Sequence, residues 1–332
     1  MRPGPLNLIT DVPGIALGNA EAPEYGTGTT VILPDRRAVA AADVRGGGPG
    51  TREISAIEAD ALNELADAVV LSGGSAWGLE AASGTMEWLR DAGRGLAVAG
   101  SLVPIVPSAI LFDLPRRRDP SGAGEALPYR SLGRAAAAAA GPGAFALGTV
   151  GAGFGAATAG LKGGLGSASL VWEREGAAPL TVGAVVAVNA LGSALIPGTK
   201  AFLAAPWEIG AEFGGIPMPP RAPRPTAIPS KRPVPGANTT IAAVATDAAL
   251  TKPQARRLAI MAQDGLSRAL HPAHTPFDGD TVFALSTGRE PGTDAETLYI
   301  LGTMAATCLS RAIARGVYEA TAIDTLPAWR DL

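Results

Sequence analysis

Short apolar segments separated by glycine and proline dominate the pattern of this chain. Four of these segments have the length and composition of β-strands. They are Val31 to Leu33, Ala68 to Leu71, Leu180 to Val188 and Thr240 to Ala245. The glycines and prolines between the segments predict tight turns, so we expect many strands around a few helices.

Longer segments with the apolar spacing of amphipathic helices lie between these strands. Ala76 to Arg90 is predicted as a helix with Ser75 as its N-cap. Lys252 to Leu270 is predicted as another, with Pro253 in its first turn, and Thr297 to Val317 as a third. Because strands and helices do not alternate regularly, the pattern favours a layered α+β architecture over a doubly wound sheet.

Composition narrows the class of protein and of partner. With 332 residues and 47% apolar composition, the chain can bury a large core. Its formal charge of -3 supplies no field that would attract nucleic acid or an anionic membrane, so we predict neither as a partner. Cys308 is the single cysteine, which excludes an internal disulfide framework. The N-terminus has no apolar core of signal-peptide length, and no uninterrupted apolar run elsewhere is long enough to span a bilayer, so we expect a cytoplasmic protein.

The tripeptide Asn238-Thr239-Thr240 is the strongest chemical signal. It follows a proline-rich segment, residues 216–237, which we expect to be an extended and exposed linker. A threonine hydroxyl needs a base, and a cut before Thr239 would free an α-amine whose pKa is about 7.7 to 8.0. We therefore predict self-cleavage between Asn238 and Thr239, with Thr239 as the nucleophile. The plainer interpretation is a loop that ends at a strand.

A glycine-rich segment, residues 151–164, contains the second candidate group, Lys162. The segment resembles a phosphate-binding loop, but Gly163 and Gly164 would break the helix that should receive a phosphate. Close packing of the backbone is the simpler explanation of these glycines. A buried Lys162 would lower the pKa of a neighbouring amine or polarise a carbonyl group, whereas the alternative is an ordinary surface lysine.

Two further places offer candidate catalytic groups. His271 and His274 precede Asp278 and Asp280, which suggests a metal site or, alternatively, two carboxylates that hold the hydroxyl and the amine of the nucleophile. A plain turn is the third possibility for the two acids. Asn189 ends the predicted strand Leu180 to Val188, where its amide is placed to donate to a developing oxyanion or simply to form a turn.

Taken together, the segments resemble the DmpA family of self-processing aminopeptidases and amidases, which includes β-peptidyl aminopeptidases and the NylC-like nylon-oligomer hydrolases. The resemblance follows the same order along nearly the whole chain. The matching motifs are Thr10-Asp-Val-Pro-Gly-Ile, Asp43-Val-Arg-Gly-Gly, Ser72-Gly-Gly-Ser-Ala-Trp-Gly-Leu, Gly151-Ala-Gly, Asn238-Thr-Thr-Ile and Asp278-Gly-Asp-Thr-Val-Phe.

The resemblance implies an αββα sandwich of the DmpA and ornithine acetyltransferase type. It also implies a single domain, residues 1–332, cleaved into an α chain (1–238) and a β chain (239–332), a homo-oligomer of αβ units (a dimer or tetramer), and no cofactor or metal. It assigns Thr239 as nucleophile, Asn189 as oxyanion donor, and Asp278 with Asp280 as the pair that orients the nucleophile. Lys162 matches the lysine of NylC-like sequences.

Two departures within the family bear on the substrate. The aminopeptidase branches use serine as nucleophile, whereas Asn238-Thr239-Thr240 is similar to the NylC-like branch. Those branches also carry an acid that grips the free amine of the substrate, and in the matching segment, Val103 to Asp113, only Asp113 is charged.

These departures lead us to predict a small-molecule amide or peptide substrate, hydrolysed through an acyl-enzyme. We expect linear amides in short peptides or ω-amino-acid oligomers such as 6-aminohexanoate (nylon) oligomers. The alternatives are an aminopeptidase that releases N-terminal α- or β-amino acids, an acyltransferase, and an uncleaved binding module.

Overall fold

Two β-sheets face each other in the computed structural model, which describes residues 1–114, 126–221, 230–231, 237–289 and 292–332. Within these residues the strands are β1 Ile15–Ala22, β2 Thr27–Pro34, β3 Ala38–Val44, β4 Thr51–Arg52, β5 Leu65–Ala66, β6 Val69–Ser72, β7 Leu96–Val98, β8 Ser101–Val103, β9 Ser108–Ile110, β10 Ala157–Thr158, β11 Leu161–Lys162, β12 Leu165–Arg174, β13 Ala177–Asn189, β14 Thr239–Thr246 and β15 Thr281–Ser286. The α-helices are α1 Glu80–Asp91, α2 Tyr129–Ala138, α3 Lys252–Ala262, α4 Asp264–Ala269 and α5 Ala295–Tyr318. Each of the four predicted strands and the third predicted helix are present.

The larger sheet has six strands in the order β12-β13-β14-β15-β3-β5, and the smaller has five in the order β1-β2-β6-β9-β4. In the larger sheet β14 runs antiparallel to β13 and parallel to β15. The hairpins β7-β8 and β10-β11 stand outside the two sheets. The strand that begins at Thr239 therefore lies in the middle of a sheet, with a ladder of hydrogen bonds on each side.

Three apolar layers hold the molecule together. Side chains of both sheets, such as Ile32 and Val185, fill the space between the sheets. The outer face of the small sheet packs on α1 and α2, with Val31 and Leu132 in that layer. The outer face of the large sheet packs on α3, α4 and α5 through residues such as Val244. This order of helices, sheet, sheet and helices confirms the predicted αββα sandwich.

Burial on both faces explains the apolar run after Thr239. Ile241, Ala243 and Ala245 enter the layer between the sheets, and Ala242 and Val244 enter the layer beneath the helices. Successive side chains of a strand point to opposite faces, so a strand covered on both sides needs apolar residues at every position.

Two details of the predicted helices are wrong. The segment Lys252 to Leu270 is two helices, α3 and α4, that meet at Gln263. The amide of Gln263 is buried and donates to the carbonyl oxygen of Asp43, a tertiary contact that no local pattern indicates. Ser75 is not an N-cap, because it has a left-handed backbone with φ 52° and begins a 3₁₀ turn that precedes α1.

Helix α5 is long and apolar enough to cross a membrane by length and composition alone, although Arg311 and Arg315 interrupt its apolar sequence. However, 67% of its most apolar window is buried inside the protein. The helix packs closely on β12, where a Cβ atom at Gly166 would lie 1.8 Å from the carbonyl oxygen of Ala312. Core helices pass the same test of length and composition, so the finding is weak support for a membrane span.

Candidate active site

Thr239 is the first residue of β14 and is almost fully buried, with 2% of its surface exposed. Its hydroxyl donates a hydrogen bond to the carbonyl oxygen of Asn238, the residue on the other side of the predicted cleavage site. The same carbonyl oxygen accepts the N–H of Gly279 at 2.9 Å. The hydroxyl and the carbonyl group that would react in self-cleavage are thus in contact, and a backbone donor already polarises the carbonyl group.

Asn189 lies directly opposite Thr239 in the β13–β14 ladder. Its side-chain nitrogen donates to the carbonyl oxygens of Phe112 at 2.9 Å and Ala237 at 3.4 Å. Its side-chain oxygen accepts hydrogen bonds from the backbone of Ala157 and from the ammonium group of Lys231. The structure therefore places the predicted oxyanion donor beside the nucleophile, with its amide nitrogen bonded to Phe112 and, at a longer distance, to the backbone just upstream of Thr239.

Lys162 is fully buried in the β10–β11 hairpin, so the surface-lysine alternative is wrong. Its ammonium group donates to the carbonyl oxygens of Gly153 at 2.8 Å and Gly163 at 2.9 Å. Lys162 pairs across the hairpin with Ala157, whose N–H in turn bonds to Asn189. Lys162 is therefore part of the scaffold that holds the amide of Asn189.

The glycine-rich segment has a packing role in the structure. A Cβ atom at Gly153 would lie 2.0 Å from the backbone of Leu165, and one at Gly163 would lie 1.9 Å from the carbonyl oxygen of Val188. Gly151 begins a 3₁₀ turn, and a short strand follows this turn where a phosphate loop would have a helix. Close approach of the backbone accounts for these glycines.

Asp278 is a buried carboxylate on the loop that precedes β15. One of its oxygens accepts the N–H of Leu191 at 3.1 Å, and the other accepts the N–H and the hydroxyl of Thr275. Burial raises the pKa of Asp278, and the negative charge of Asp280 raises it further. Asp278 is thus held by the segment after β13, which brings it to the end of the sheet where Asn189 and Thr239 meet.

Asp280 contacts the nucleophile's strand directly. One oxygen accepts the N–H of Thr240 at 2.9 Å, and the other accepts two hydrogen bonds from His274. In this uncut chain the hydroxyl of Thr239 bonds to Asn238 instead of to either carboxylate. The role of Asp278 and Asp280 in holding the hydroxyl and amine after cleavage therefore stays a prediction.

Three residues of the site were not assigned by the sequence. Lys231 lies in the proline-rich segment, where nothing in the pattern distinguishes it from other basic residues. Gly279 stands between the two candidate carboxylates, and a Cβ atom there would lie 2.9 Å from the hydroxyl oxygen of Thr239. His274 was considered only as a metal ligand. Within the described ranges, no group of three or more His, Cys, Asp or Glu side chains is arranged to hold a metal ion.

Comparison with known proteins identifies the family. The model for peptidase family S58 matches residues 7–328, nearly the whole chain. The chain belongs to peptidase family S58. This is the DmpA family, so the resemblance found in the motifs is confirmed.

Relatives within family S58 differ in what their names say they do. An uncharacterized aminopeptidase of Mycobacterium tuberculosis is 41% identical to this chain over 98% of both proteins. A 6-aminohexanoate-oligomer endohydrolase of Paenarthrobacter ureafaciens is 29% identical over 94% of this chain and 85% of that protein. Together with family membership, these relatives show a hydrolase of peptide or amide bonds, which sets aside the binding-module alternative.

Solved structures show the same fold. A β-aminopeptidase from Burkholderia sp. and an L-aminopeptidase D-Ala-esterase/amidase from Ochrobactrum anthropi each match with a TM-score of 0.70. Each match covers 98% of this chain and 90% of the other, at 22% identity. The second of these is described as a variant of the Ntn-hydrolase fold, and this S58 chain shares that architecture.

Proposed function

We propose that this S58 chain cleaves its own peptide bond between Asn238 and Thr239 and then uses Thr239 to hydrolyse linear amides. The observation that carries the proposal is the contact between the Thr239 hydroxyl and the Asn238 carbonyl group, which also accepts the N–H of Gly279. A nucleophile held against a carbonyl group that is already polarised needs little further rearrangement to react.

Self-cleavage would begin when the hydroxyl oxygen of Thr239 attacks the carbonyl carbon of Asn238. The C–N bond breaks, the hydroxyl proton passes to the departing nitrogen, and an ester joins the two halves of the chain. Water then hydrolyses the ester, which leaves a carboxylate on Asn238, the free hydroxyl of Thr239 and its new α-amine. No cofactor or external oxidant is needed for this sequence.

Turnover would reuse the same groups on another amide. The α-amine of Thr239 takes the hydroxyl proton, the hydroxyl oxygen attacks the amide carbon, and the leaving amine receives the proton. Asn189 is positioned to donate to the oxyanion once the segment ending at Ala237 has moved away from its amide. Water releases the acid from the acyl-enzyme.

The charged groups near the site favour extended amides over substrates that the enzyme would recognise through their free amine. Asp113 is the one charged residue in the segment where an amine anchor was expected, and it is buried. Its two carboxylate oxygens accept hydrogen bonds from the N–H of Gly74 and the hydroxyl of Thr27. This supports oligomers such as those of 6-aminohexanoate, which the name of the Paenarthrobacter relative mentions.

An aminopeptidase is the second candidate, because the 41% identical mycobacterial relative is named as one. A panel of matched substrates separates the two activities. Cleavage of N-acetylated and free 6-aminohexanoate oligomers at similar kcat/KM supports the amidase, whereas cleavage of only the free-amine forms supports the aminopeptidase. The αβ homo-oligomer and the cytoplasmic location stay predictions, and gel filtration with light scattering tests the first.

Intact mass of the denatured protein tests self-cleavage, with N-terminal sequencing of the smaller fragment. We expect fragments 1–238 and 239–332 from the wild type and a single chain from Thr239→Val. Thr240→Val is the matched control, because Thr240 is a buried neighbour whose hydroxyl has no hydrogen-bond partner among the described residues. Full cleavage of Thr239→Val, or none of Thr240→Val, would contradict the assignment.

A further inference from the structure

His274 has an unusual backbone and an unusual set of contacts for a residue beside a catalytic centre. Its backbone is left-handed, with φ 57°, a conformation that is uncommon for residues with a Cβ atom. Its backbone N–H and its ring nitrogen Nδ1 lie 2.9 and 2.8 Å from the same oxygen of Asp280. With this backbone, both groups reach one carboxylate oxygen.

The contact with Asp280 determines which ring nitrogen carries hydrogen. An ionised carboxylate only accepts hydrogen bonds, so Nδ1 must be the donor. The other ring nitrogen, Nε2, is buried and has no hydrogen-bond partner among the residues that the structure describes. Among the described residues, the ring therefore bonds only to the carboxylate of Asp280, which is the pattern of a side chain that orients another group.

Asp280 connects His274 to the strand that begins with the nucleophile. The oxygen of Asp280 that does not contact His274 accepts the N–H of Thr240, the residue directly after Thr239. If the ring were removed, the carboxylate would lose one of its three hydrogen bonds from these two residues and would be freer to rotate. The first residues of β14 would then be less firmly placed.

We propose that His274 is a positioning residue for the reaction, acting through Asp280 to hold Thr239 at the distance and angle that attack requires. The proposal rests on the proposed function of Thr239. It assigns His274 no contact with the substrate and no proton transfer. Its effect is on the placement of the reacting hydroxyl, where small displacements have large consequences for rate.

Three variants separate the ring from the backbone. His274→Gly keeps the left-handed backbone, which glycine adopts freely, and removes only the ring. His274→Asn restores a donor, because Nδ2 of asparagine is the same number of bonds from Cα as Nδ1 of histidine, and asparagine also tolerates this backbone. His271→Asn is the matched control, because His271 is the other histidine of the chain and is exposed.

The rate constant of self-cleavage, measured on freshly refolded chains, is the first readout, and kcat and KM for the p-nitroanilide of 6-aminohexanoic acid are the second. We expect His274→Gly to lower the self-cleavage rate and kcat by about 10- to 100-fold, as loss of a supporting hydrogen bond commonly does, with KM nearly unchanged. His274→Asn should recover both rates to within about threefold of the wild type. His271→Asn should match the wild type.

Two results would overturn the positioning role. One is a folded His274→Gly protein with wild-type rates. The other is a folded His274→Asn protein slowed by tenfold or more, and this second test holds even if the glycine variant does not fold. Failure of the proposed function is a separate result, since it would appear as an uncleaved wild-type chain or as an active Thr239→Val protein.

Discussion

The buried ion pair between Glu212 and Arg311 offers a sharp test of how the two predicted chains are held together. Arg311 lies in α5, downstream of the predicted cleavage site, and Glu212 lies upstream of it. The guanidinium group makes two parallel hydrogen bonds to the carboxylate, at 2.6 and 2.9 Å. Its remaining donors reach Ser169 and Asn7, so one arginine of the β chain bonds to three segments of the α chain.

The expected cost of breaking this pair follows from its burial. The side chain of Arg311 is 0% exposed and that of Glu212 is 9% exposed. Glu212→Gln would leave the guanidinium charge buried without its counter-ion, a change that commonly lowers the free energy of unfolding by about 3 to 5 kcal/mol. Replacing both partners, as in Glu212→Gln with Arg311→Met, should cost less than Glu212→Gln alone.

The contribution of this ion pair to the free energy of unfolding depends on pH with a definite sign. Burial acts to raise the pKa of Glu212, but the hydrogen bonds and charge of Arg311 outweigh burial and hold the pKa below its ordinary value. A carboxylate with a lowered pKa in the folded state contributes stability above its unfolded pKa of about 4.3 and loses it as the pH falls through the folded value. The difference between the wild type and Glu212→Gln should therefore shrink on acidification.

Urea denaturation in the Thr239→Val background gives the measurement, since the chain then stays a single polypeptide. All variants are compared at one protein concentration, because the predicted homo-oligomer would make unfolding depend on concentration. Fluorescence and circular dichroism transitions must coincide for the free energy to be meaningful. Glu173→Gln is the control, because Glu173 pairs with Arg2 at 59% and 57% side-chain exposure and should contribute little. A loss below about 1 kcal/mol at pH 7 in Glu212→Gln would refute the reasoning.

Three further predictions concern single residues. Burial raises the pKa of the Cys308 thiol to about 12, so a thiol reagent at pH 8 should label it only after unfolding, and rapid labelling of the native protein would contradict its burial. Gly166→Ala should lower the melting temperature, because its Cβ atom would lie 1.8 Å from the carbonyl oxygen of Ala312, whereas Gly141→Ala meets nothing within 4 Å and should melt like the wild type. Because burial and a second carboxylate raise the pKa of Asp278, the acid limb of the kcat/KM pH profile should show a second ionisation, below that of the Thr239 α-amine and above the ordinary aspartate value of about 3.9. An acid limb with a single ionisation down to about pH 4 would contradict a need for the ionised carboxylate.

Much of the fold was predictable because it depends on local patterns. The segment Ile241 to Ala245 has apolar residues at every position, and it is part of a strand buried on both faces. Burial on both faces can be predicted without knowing which strands lie alongside. The start of α3 could likewise be predicted from the local sequence, because Pro253 lies in its first turn and proline is well suited to the start of a helix.

The arrangement of the site depends on contacts that local patterns do not contain. Asn189 faces Thr239 because β13 and β14 pair in one particular register, and that register is set by the burial of both strands in the sandwich. The orientation of Asp280 depends on His274, whose left-handed backbone has no sequence signature. Residue types at the site were therefore predictable, whereas their partners required the tertiary structure.

The position of β14 and β15 within the large sheet has a consequence for biosynthesis. These two strands lie between β13 on one side and β3 on the other, and both of those neighbours precede Thr239 in the chain. A polypeptide translated separately from Thr239 onward would carry two strands with both outer edges open, and open edges recruit other strands and aggregate. Synthesis as one chain lets the sheet close around these strands before the proposed cleavage.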